Sequence, residues 1–164
     1  MQNINFTYLT IAILIPVLGG FLSGYYGMIG KNKYWYNSLQ KPWWNPPSWI
    51  FAPVWTTLYI MMGIASYLVW EKGGSLLLYA AQLVANLAWS PVFFRTIGKE
   101  HRIDIALYII IALWVLIAAT IQSFYNVSKI AALFMIPYFL WVTYAVSLNW
   151  YIVRETAVFT GNPE

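Results

Sequence analysis

Five long runs of apolar residues occupy most of this 164-residue sequence. A helix needs about 20 mostly apolar residues to cross the hydrocarbon layer of a bilayer. The runs of about that length span residues 6–27, 48–70, 76–94, 103–124 and 130–153. Strands of a membrane β-barrel would alternate apolar and polar residues, whereas residues 107–119 are almost continuously apolar. The sequence therefore predicts an all-α integral membrane protein, a five-transmembrane-helix bundle that forms a single domain over residues 1–164.

The composition excludes several classes of soluble protein. Hydrophobic residues make up 61% of the chain and charged residues only 9%, whereas soluble domains carry about 25% charged residues. The net charge of +4 comes from basic residues scattered along the sequence, which is unlike the basic stripe of a nucleic-acid-binding protein. The chain contains no cysteine, which rules out disulfides, thiolate metal sites and a cysteine nucleophile.

The basic residues that flank the runs predict the orientation of the chain. No basic residue precedes Lys31, so the first run lacks the positive start of a cleaved signal peptide and is interpreted as a retained span. Lys72 and Lys129 lie on the side of the N-terminus. The basic residues on the other side are Lys31, Lys33, Lys41, Arg95, Lys99, Arg102 and Arg154. Because basic residues collect on the cytoplasmic side, we expect the C-terminus to lie in the cytoplasm and the N-terminus outside. The location expected for this multi-pass protein is the bacterial cell membrane.

One connection, residues 28–47, is much longer than the other three. The short connections predict that the helices they join are antiparallel neighbours. The long first loop is rich in tryptophan and proline, with the sequence PWWNPP at residues 42–47. Proline fixes φ and removes a backbone donor, so this loop should be stiff. Its tryptophans suit either an interfacial aromatic belt or a lid over the mouth of a pocket, and we favour the lid.

The predicted spans contain almost no ionisable residue, which argues against a proton pump, an ion-coupled carrier or a voltage sensor. Asp104 and His101 lie at the edge of the fourth span, where water can solvate their side chains. A single histidine without cysteine cannot form a multi-ligand metal site, so no metal site is predicted. His101 is interpreted as a boundary residue near a pocket mouth, with axial ligation of a haem iron as the alternative. The residue sets for conventional acid–base or nucleophilic catalysis are missing from the spans.

Aromatic and neutral polar residues recur at helical spacing in three of the spans, so that each set shares one helix face. The sets are Phe51, Trp55, Tyr59 and Met62 in the second span, Gln82, Asn86 and Trp89 in the third, and Trp141, Ala145, Leu148 and Asn149 in the fifth. Buried amides need partners in an apolar medium, so the three amide side chains should point inward. They would bond between helices or meet the polar edge of a ligand. The sequence thus predicts an uncharged, aromatic-lined pocket inside the bundle.

Three blocks of the sequence carry a resemblance to a known family. They are residues 38–59 (SLQKPWWNPPSWIFAPVWTTLY), 86–94 (NLAWSPVFF) and 137–154 (PYFLWVTYAVSLNWYIVR). Together they resemble the TspO/MBR family of translocator proteins and tryptophan-rich sensory proteins. The resemblance implies a five-helix bundle, commonly dimeric, with a pocket open toward the first loop. It further implies binding of porphyrins such as protoporphyrin IX, of sterols in animals, and of isoquinoline carboxamide and benzodiazepine drugs.

The resemblance also implies which residues bind ligand. By position in the matching blocks these are Ala52, Val54, Trp55, Asn86, Trp89, Trp141, Ala145 and Leu148. Phe51 joins them through its helical spacing, and Tyr34 and Trp35 would help to cover the pocket. Where animal members have a pocket tryptophan at the start of the fourth helix, this chain has His101, so drug affinity is expected to differ. A proposed cholesterol motif, weak evidence on its own, is matched by Leu148, Tyr151 and Arg154.

Two functions follow as hypotheses. The first is a membrane receptor or transporter-like protein that binds tetrapyrroles, with porphyrin as ligand and no separate cofactor. The alternative is a light- and oxygen-dependent porphyrin-degrading enzyme in which Trp55 and Trp141 are the redox-active, catalytic side chains. A third hypothesis, an oligomeric scaffold or regulator of porphyrin and stress metabolism, is equally consistent with the sequence. The expected partners are the lipid bilayer, a flat apolar ligand and a second copy of the chain.

Two small-residue spacings are candidates for close helix packing, either in a dimer or within the bundle. Gly20 and Gly24 lie four residues apart in the first span, and Ala81 and Ala85 lie four apart in the third. The sequence alone supports both uses equally.

Overall fold

The computed structural model describes residues 4–28, 37–94, 96–97, 100–101 and 103–160. Its long helices are α1 Phe6–Met28, α2 Ser48–Trp70, α3 Leu77–Phe94, α4 Ile103–Val127 and α5 Lys129–Thr160. Between α3 and α4 lies a two-residue antiparallel β-hairpin, Thr96–Ile97 paired with Glu100–His101. All five helices are long and apolar enough to cross a membrane. The predicted all-α, five-helix membrane fold is therefore confirmed.

The helices form a closed ring in the order α1, α2, α5, α4, α3. In this ring α1 packs against α2 and α3, α5 packs against α2 and α4, and α4 packs against α3. The prediction that short connections join neighbours holds for α3–α4 and for α4–α5. It is wrong for α2 and α3, which are not a major contact pair in the described part of the chain, because α1 lies between them.

Two glycines allow α1 and α2 to approach closely. A Cβ at Gly63 of α2 would lie 2.5 Å from the Cα of Ile13 in α1, and a Cβ at Gly20 of α1 would lie 2.0 Å from the ring of Tyr59. A larger residue at Gly63 would meet the backbone of α1 and force the helices apart, whereas one at Gly20 would displace the Tyr59 ring. Gly20, one of the residues considered above for a dimer face, is thus used inside the bundle. A Cβ at Gly24 would meet no atom within 4 Å.

Four of the five helices contain a proline, and each proline removes one backbone donor. In α3, Pro91 cannot donate a hydrogen bond to the carbonyl of Leu87, four residues earlier. The hydroxyl of Ser23 in α1 donates to that carbonyl instead, at 2.6 Å. Because hydrocarbon offers no other partner, this side chain replaces the lost helical hydrogen bond and also fastens α1 to α3.

The interior of the ring is densely packed in one half. Fully buried residues such as Met62, Ile117 and Met135 fill the half nearest the α2–α3 and α4–α5 connections. The half nearest the first loop is different, because helices from every side of the ring surround an open space there.

Candidate ligand-binding site

All five helices line a cavity of about 840 Å³ in the half of the bundle nearest the first loop. The α1 and α3 residues come from the C-terminal halves of those helices, and the α2 and α4 residues from the N-terminal halves, because these helices alternate in direction. No lining residue in the described chain carries a charge. No group of three His, Asp or Glu side chains that could hold a metal ion occurs among the described residues. The cavity is therefore suited to a neutral, largely apolar guest.

Aromatic rings form much of the cavity wall. On α2 the rings of Trp55 and Tyr59 stack with their centroids 5.5 Å apart. Phe51, also on α2, meets Trp141 of α5 edge-on, with centroids 5.8 Å apart. The aromatic faces expected on these two helices thus border the same space. Flat rings of this kind pack well against another flat ring system.

A chain of four polar side chains lies at the inner end of the cavity. The hydroxyl of Tyr59 donates to Oδ1 of Asn86 at 2.8 Å, and Nδ2 of Asn86 donates to the hydroxyl of Tyr138 at 2.9 Å. The Tyr138 hydroxyl in turn donates to Oε1 of Gln82 at 2.9 Å. Tyr59 and Asn86 line the cavity, whereas Tyr138 and Gln82 are fully buried behind it. The two amides point inward, as expected, and they bond between helices.

Two of the cavity tryptophans, Trp89 and Trp141, differ in whether the indole N–H group has a hydrogen-bond partner. Nε1 of Trp89 donates to Oδ1 of Asn149 at 3.0 Å, and Nδ2 of Asn149 donates to the carbonyl of Ile103 at 3.4 Å. The buried Nε1 of Trp141 has no hydrogen-bond partner among the described residues. Buried indole N–H groups usually find a partner. Trp141 is therefore held in place by packing alone.

The described end of the first loop, residues 37–47, reaches the mouth of the cavity. Its backbone is tied to α5, because the hydroxyl of Tyr144 donates to the carbonyl of Trp44 at 2.5 Å. The neighbouring Trp43 is 92% exposed, as a residue anchored at the membrane interface would be. The residues that this segment contributes to the cavity lining are Asn37 and Asn45.

Most of the predicted ligand-binding residues line the cavity: Phe51, Ala52, Trp55, Asn86, Trp89, Trp141, Ala145 and Leu148. Val54 does not. It lines a separate apolar groove on the outer side of α2 and α5, since adjacent helical positions point about 100° apart. Tyr34, Trp35 and the side chain of His101 lie outside the described residues. The lid predicted over residues 28–47 stays a prediction, because 29–36 also lie outside them.

The residues of the cholesterol-type motif have three different environments. Leu148 lines the cavity. The ring of Tyr151 meets that of Trp44 edge-on, with centroids 5.5 Å apart. The guanidinium of Arg154 lies 5.7 Å from the ring centre of Trp150. Sterol binding by this motif stays a prediction.

Sequence reasoning missed the contribution of two helices to the cavity. From α1 these are Gly20, Phe21, Ser23, Gly24 and Tyr25, and from α4 they are Ile110 and Leu113. Glycine spacing in α1 predicts close packing, and small residues serve a cavity wall equally well, so the pattern does not distinguish the two. The α4 residues give no signal, because an apolar side chain in an apolar helix can face lipid or a cavity.

The sequence is similar to proteins of one family. A model of the TspO/MBR family matches residues 12–154. The translocator protein of Sus scrofa is 41% identical over 150 residues, which cover 87% of this chain and 86% of that protein. The tryptophan-rich sensory protein of Cereibacter sphaeroides is 40% identical over 131 residues, which cover 78% of this chain and 80% of that protein. Given this coverage, the chain belongs to the TspO/MBR family.

Proposed function

We propose that this protein binds a flat, largely apolar ligand of the tetrapyrrole class in its central cavity. The observation that carries the proposal is an uncharged, aromatic-lined cavity of about 840 Å³ between membrane-spanning helices. This volume falls within the range of about 300–1,000 Å³ that is typical of small-molecule pockets. The same features would admit neutral aromatic drugs of the isoquinoline carboxamide and benzodiazepine type.

Apolar burial would supply most of the binding free energy, and neutral polar groups would orient the ligand. Burial contributes about 25 cal/mol per Å² of apolar surface, so a large macrocycle needs no charged clamp. The amide nitrogen of Asn86 carries a second N–H besides the one that it donates to Tyr138, and the oxygen of Tyr59 can still accept a hydrogen bond. Together they would offer one donor and one acceptor to the polar part of the guest.

The propionates of protoporphyrin IX would lie at the cavity mouth, where two cations are close in sequence to lining residues. Lys41 lies on the loop segment that supplies Asn45, and Arg154 follows the lining residue Ile152 on α5. Partial burial lowers the pKa of the Lys41 ammonium below its ordinary value, since desolvation disfavours the charged form. A carboxylate bound beside it would favour the charged form and offset that effect.

Titration of the purified protein in nanodiscs with protoporphyrin IX tests the proposal. Trp55→Ala and Trp141→Ala should each weaken binding about tenfold or more, because each removes part of the aromatic wall. Trp49→Ala and Trp150→Ala are matched controls, since these tryptophans lie on the same two helices but are exposed and do not line the cavity. The controls should change Kd less than about twofold. Equal affinity of the wild type and all four variants would rule out this cavity.

A second candidate function is light- and oxygen-dependent degradation of the bound porphyrin. The observation in its favour is that two oxidisable side chains, Trp55 and Trp141, line the same cavity. Illumination of the complex under air and under argon distinguishes an enzyme from a binding protein. Degradation requires a product spectrum that appears only under air, is absent for free porphyrin in detergent, and is lost in Trp141→Phe. A porphyrin spectrum that persists under air supports binding alone.

A further inference from the structure

An apolar groove runs along the outer side of the seam between α2 and α5. It has a volume of about 610 Å³. Ile50, Val54 and Leu58 line it from α2, and Pro137 and Leu140 line it from α5. Leu58 belongs to the buried core and forms the floor of the groove, whereas Leu140 is 61% exposed. Both helices are long and apolar enough to cross the membrane, so the open side of the groove faces hydrocarbon rather than water.

Trp141 separates this groove from the central cavity. It is the one described residue that lines both spaces. Its ring also closes the seam, because it meets the ring of Phe51 on α2. Trp141, with Phe51 against it, therefore forms part of the wall between the cavity and the groove.

The Trp141 side chain can move without breaking a hydrogen bond. Its N–H has no partner among the described residues, whereas the N–H groups of Trp89 and Trp114 donate hydrogen bonds at 3.0 and 2.8 Å. Ala145 lies one helical turn further along the cavity side of α5, and its small side chain leaves room for an indole that swings inward.

The backbone on both sides of the seam is also weakened. Pro53 in α2 and Pro137 in α5 each lack an N–H group. Pro137 removes the helical donor for the carbonyl of Leu133 at the point where α5 borders the groove. Helices bend most readily at such positions, so the two walls of the groove can separate more easily than regular helices would.

We propose that the α2–α5 seam is a lateral portal through which an apolar ligand passes between the hydrocarbon layer and the central cavity, with Trp141 as its gate. The portal rests on the function proposed above, since it needs a ligand to admit. It gives Val54 and Leu140 a role in ligand exchange rather than in ligand binding, because both line the groove and neither lines the cavity. A substitution that narrows the portal should lower the rates of ligand entry and exit by the same factor, and it should therefore leave Kd unchanged.

Stopped-flow fluorescence on the protein in nanodiscs measures both rates. The probe is protoporphyrin IX dimethyl ester, a porphyrin without charged propionates that dissolves in the bilayer. Leu140→Trp should fill the groove and slow association and dissociation equally, by at least about threefold, with Kd unchanged. Leu133→Trp is the matched control, because it makes the same exchange on α5 at a position outside the groove that is 67% exposed, against 61% for Leu140. It should leave both rates as they are in the wild type.

A reversible cross-link gives a second measurement in one protein. Because the chain has no cysteine, Val54→Cys/Leu140→Cys places two unique thiols in the groove. Bridging them with a bifunctional methanethiosulfonate should slow exchange of the ester, and reduction should restore the rates.

The outcomes separate the portal from the function on which it rests. Unchanged rates in Leu140→Trp and in the bridged protein, with normal Kd, overturn the portal alone. A Leu140→Trp effect confined to dissociation also overturns it, because that change marks a binding residue. Failure of the wild type to bind either porphyrin overturns the proposed function and the portal together.

Discussion

At the scale of single residues, Tyr138 shows how a polar group is accommodated inside a membrane bundle. Its side chain is fully buried, yet its hydroxyl accepts a hydrogen bond from Asn86 and donates one to Gln82. The need of amides for partners in hydrocarbon predicts that these two amides face inward. It does not identify the partner, because tyrosine occurs 13 times in this chain and a tyrosine in an apolar run is equally consistent with contact to lipid.

Removal of the Tyr138 hydroxyl should destabilise the bundle. Tyr138→Phe leaves one acceptor on Gln82 and one donor on Asn86 unpaired, which should lower the free energy of unfolding by about 1–3 kcal/mol. Tyr108→Phe is the control, since Tyr108 is 72% exposed on α4 and its exchange should cost less than about 0.5 kcal/mol. Unfolding in detergent, followed by intrinsic fluorescence, measures both. Equal stability of the two variants would show that the hydrogen bonds of Tyr138 do not contribute to the free energy of unfolding.

At the scale of helices, the boundaries are predictable and the contacts are not. The length of each apolar run is set by the thickness of the bilayer, and the observed helices begin within about one residue of the runs. α5 continues to Thr160, beyond the predicted end at residue 153, because a helix can extend past the membrane where the apolar pattern stops. The sequence also shows that Pro91 leaves the carbonyl of Leu87 without its helical donor. It does not show that Ser23 on another helix donates to that carbonyl.

A double-mutant cycle tests whether Ser23 replaces the donor that Pro91 lacks. Ser23→Ala should lower the free energy of unfolding by about 1 kcal/mol, since it leaves the Leu87 carbonyl unpaired. In a Pro91→Ala background the restored backbone N–H satisfies that carbonyl, so the same exchange should cost at least about 0.5 kcal/mol less.

The control for this cycle is Ser147→Ala. The hydroxyl of Ser147 donates to the carbonyl of Tyr144 in its own helix, at 2.7 Å. Its removal should cost the same in both backgrounds. Equal costs of Ser23→Ala in both backgrounds would show that the two positions act independently.

At the scale of the whole molecule, ring order decides which residues meet. The faces of α2, α3 and α5 at the cavity are predictable from the spacing of their aromatic and amide residues. The contribution of α1 is not, because short connections suggest that α2 and α3 are neighbours, whereas α1 lies between them. Val54 shows the same limit, since only the packing of α5 against α2 distinguishes the cavity face from the groove.

The orientation in the membrane is a further prediction at this scale. Lys41 and Arg154 lie toward the cavity end of the ring, and Lys72 and Lys129 toward the packed end. Basic residues collect in the cytoplasm, so the cavity should open there. A reporter fused after Glu164 should then give fluorescent GFP and inactive alkaline phosphatase. Fusion within the α2–α3 connection should give the reverse pattern, and phosphatase activity at the C-terminus would contradict the orientation.

Met62, Phe124 and Met135 are all fully buried in dense packing. This packing closes the inner end of the cavity, so that the cavity does not continue across the bundle as a channel. Travel along the bundle axis to the opposite aqueous compartment would require dismantling the best-packed half of the protein. A ligand of this cavity would therefore enter and leave at the half of the bundle nearest the first loop. If the proposed ligand binds there, it would exchange with only one side of the membrane.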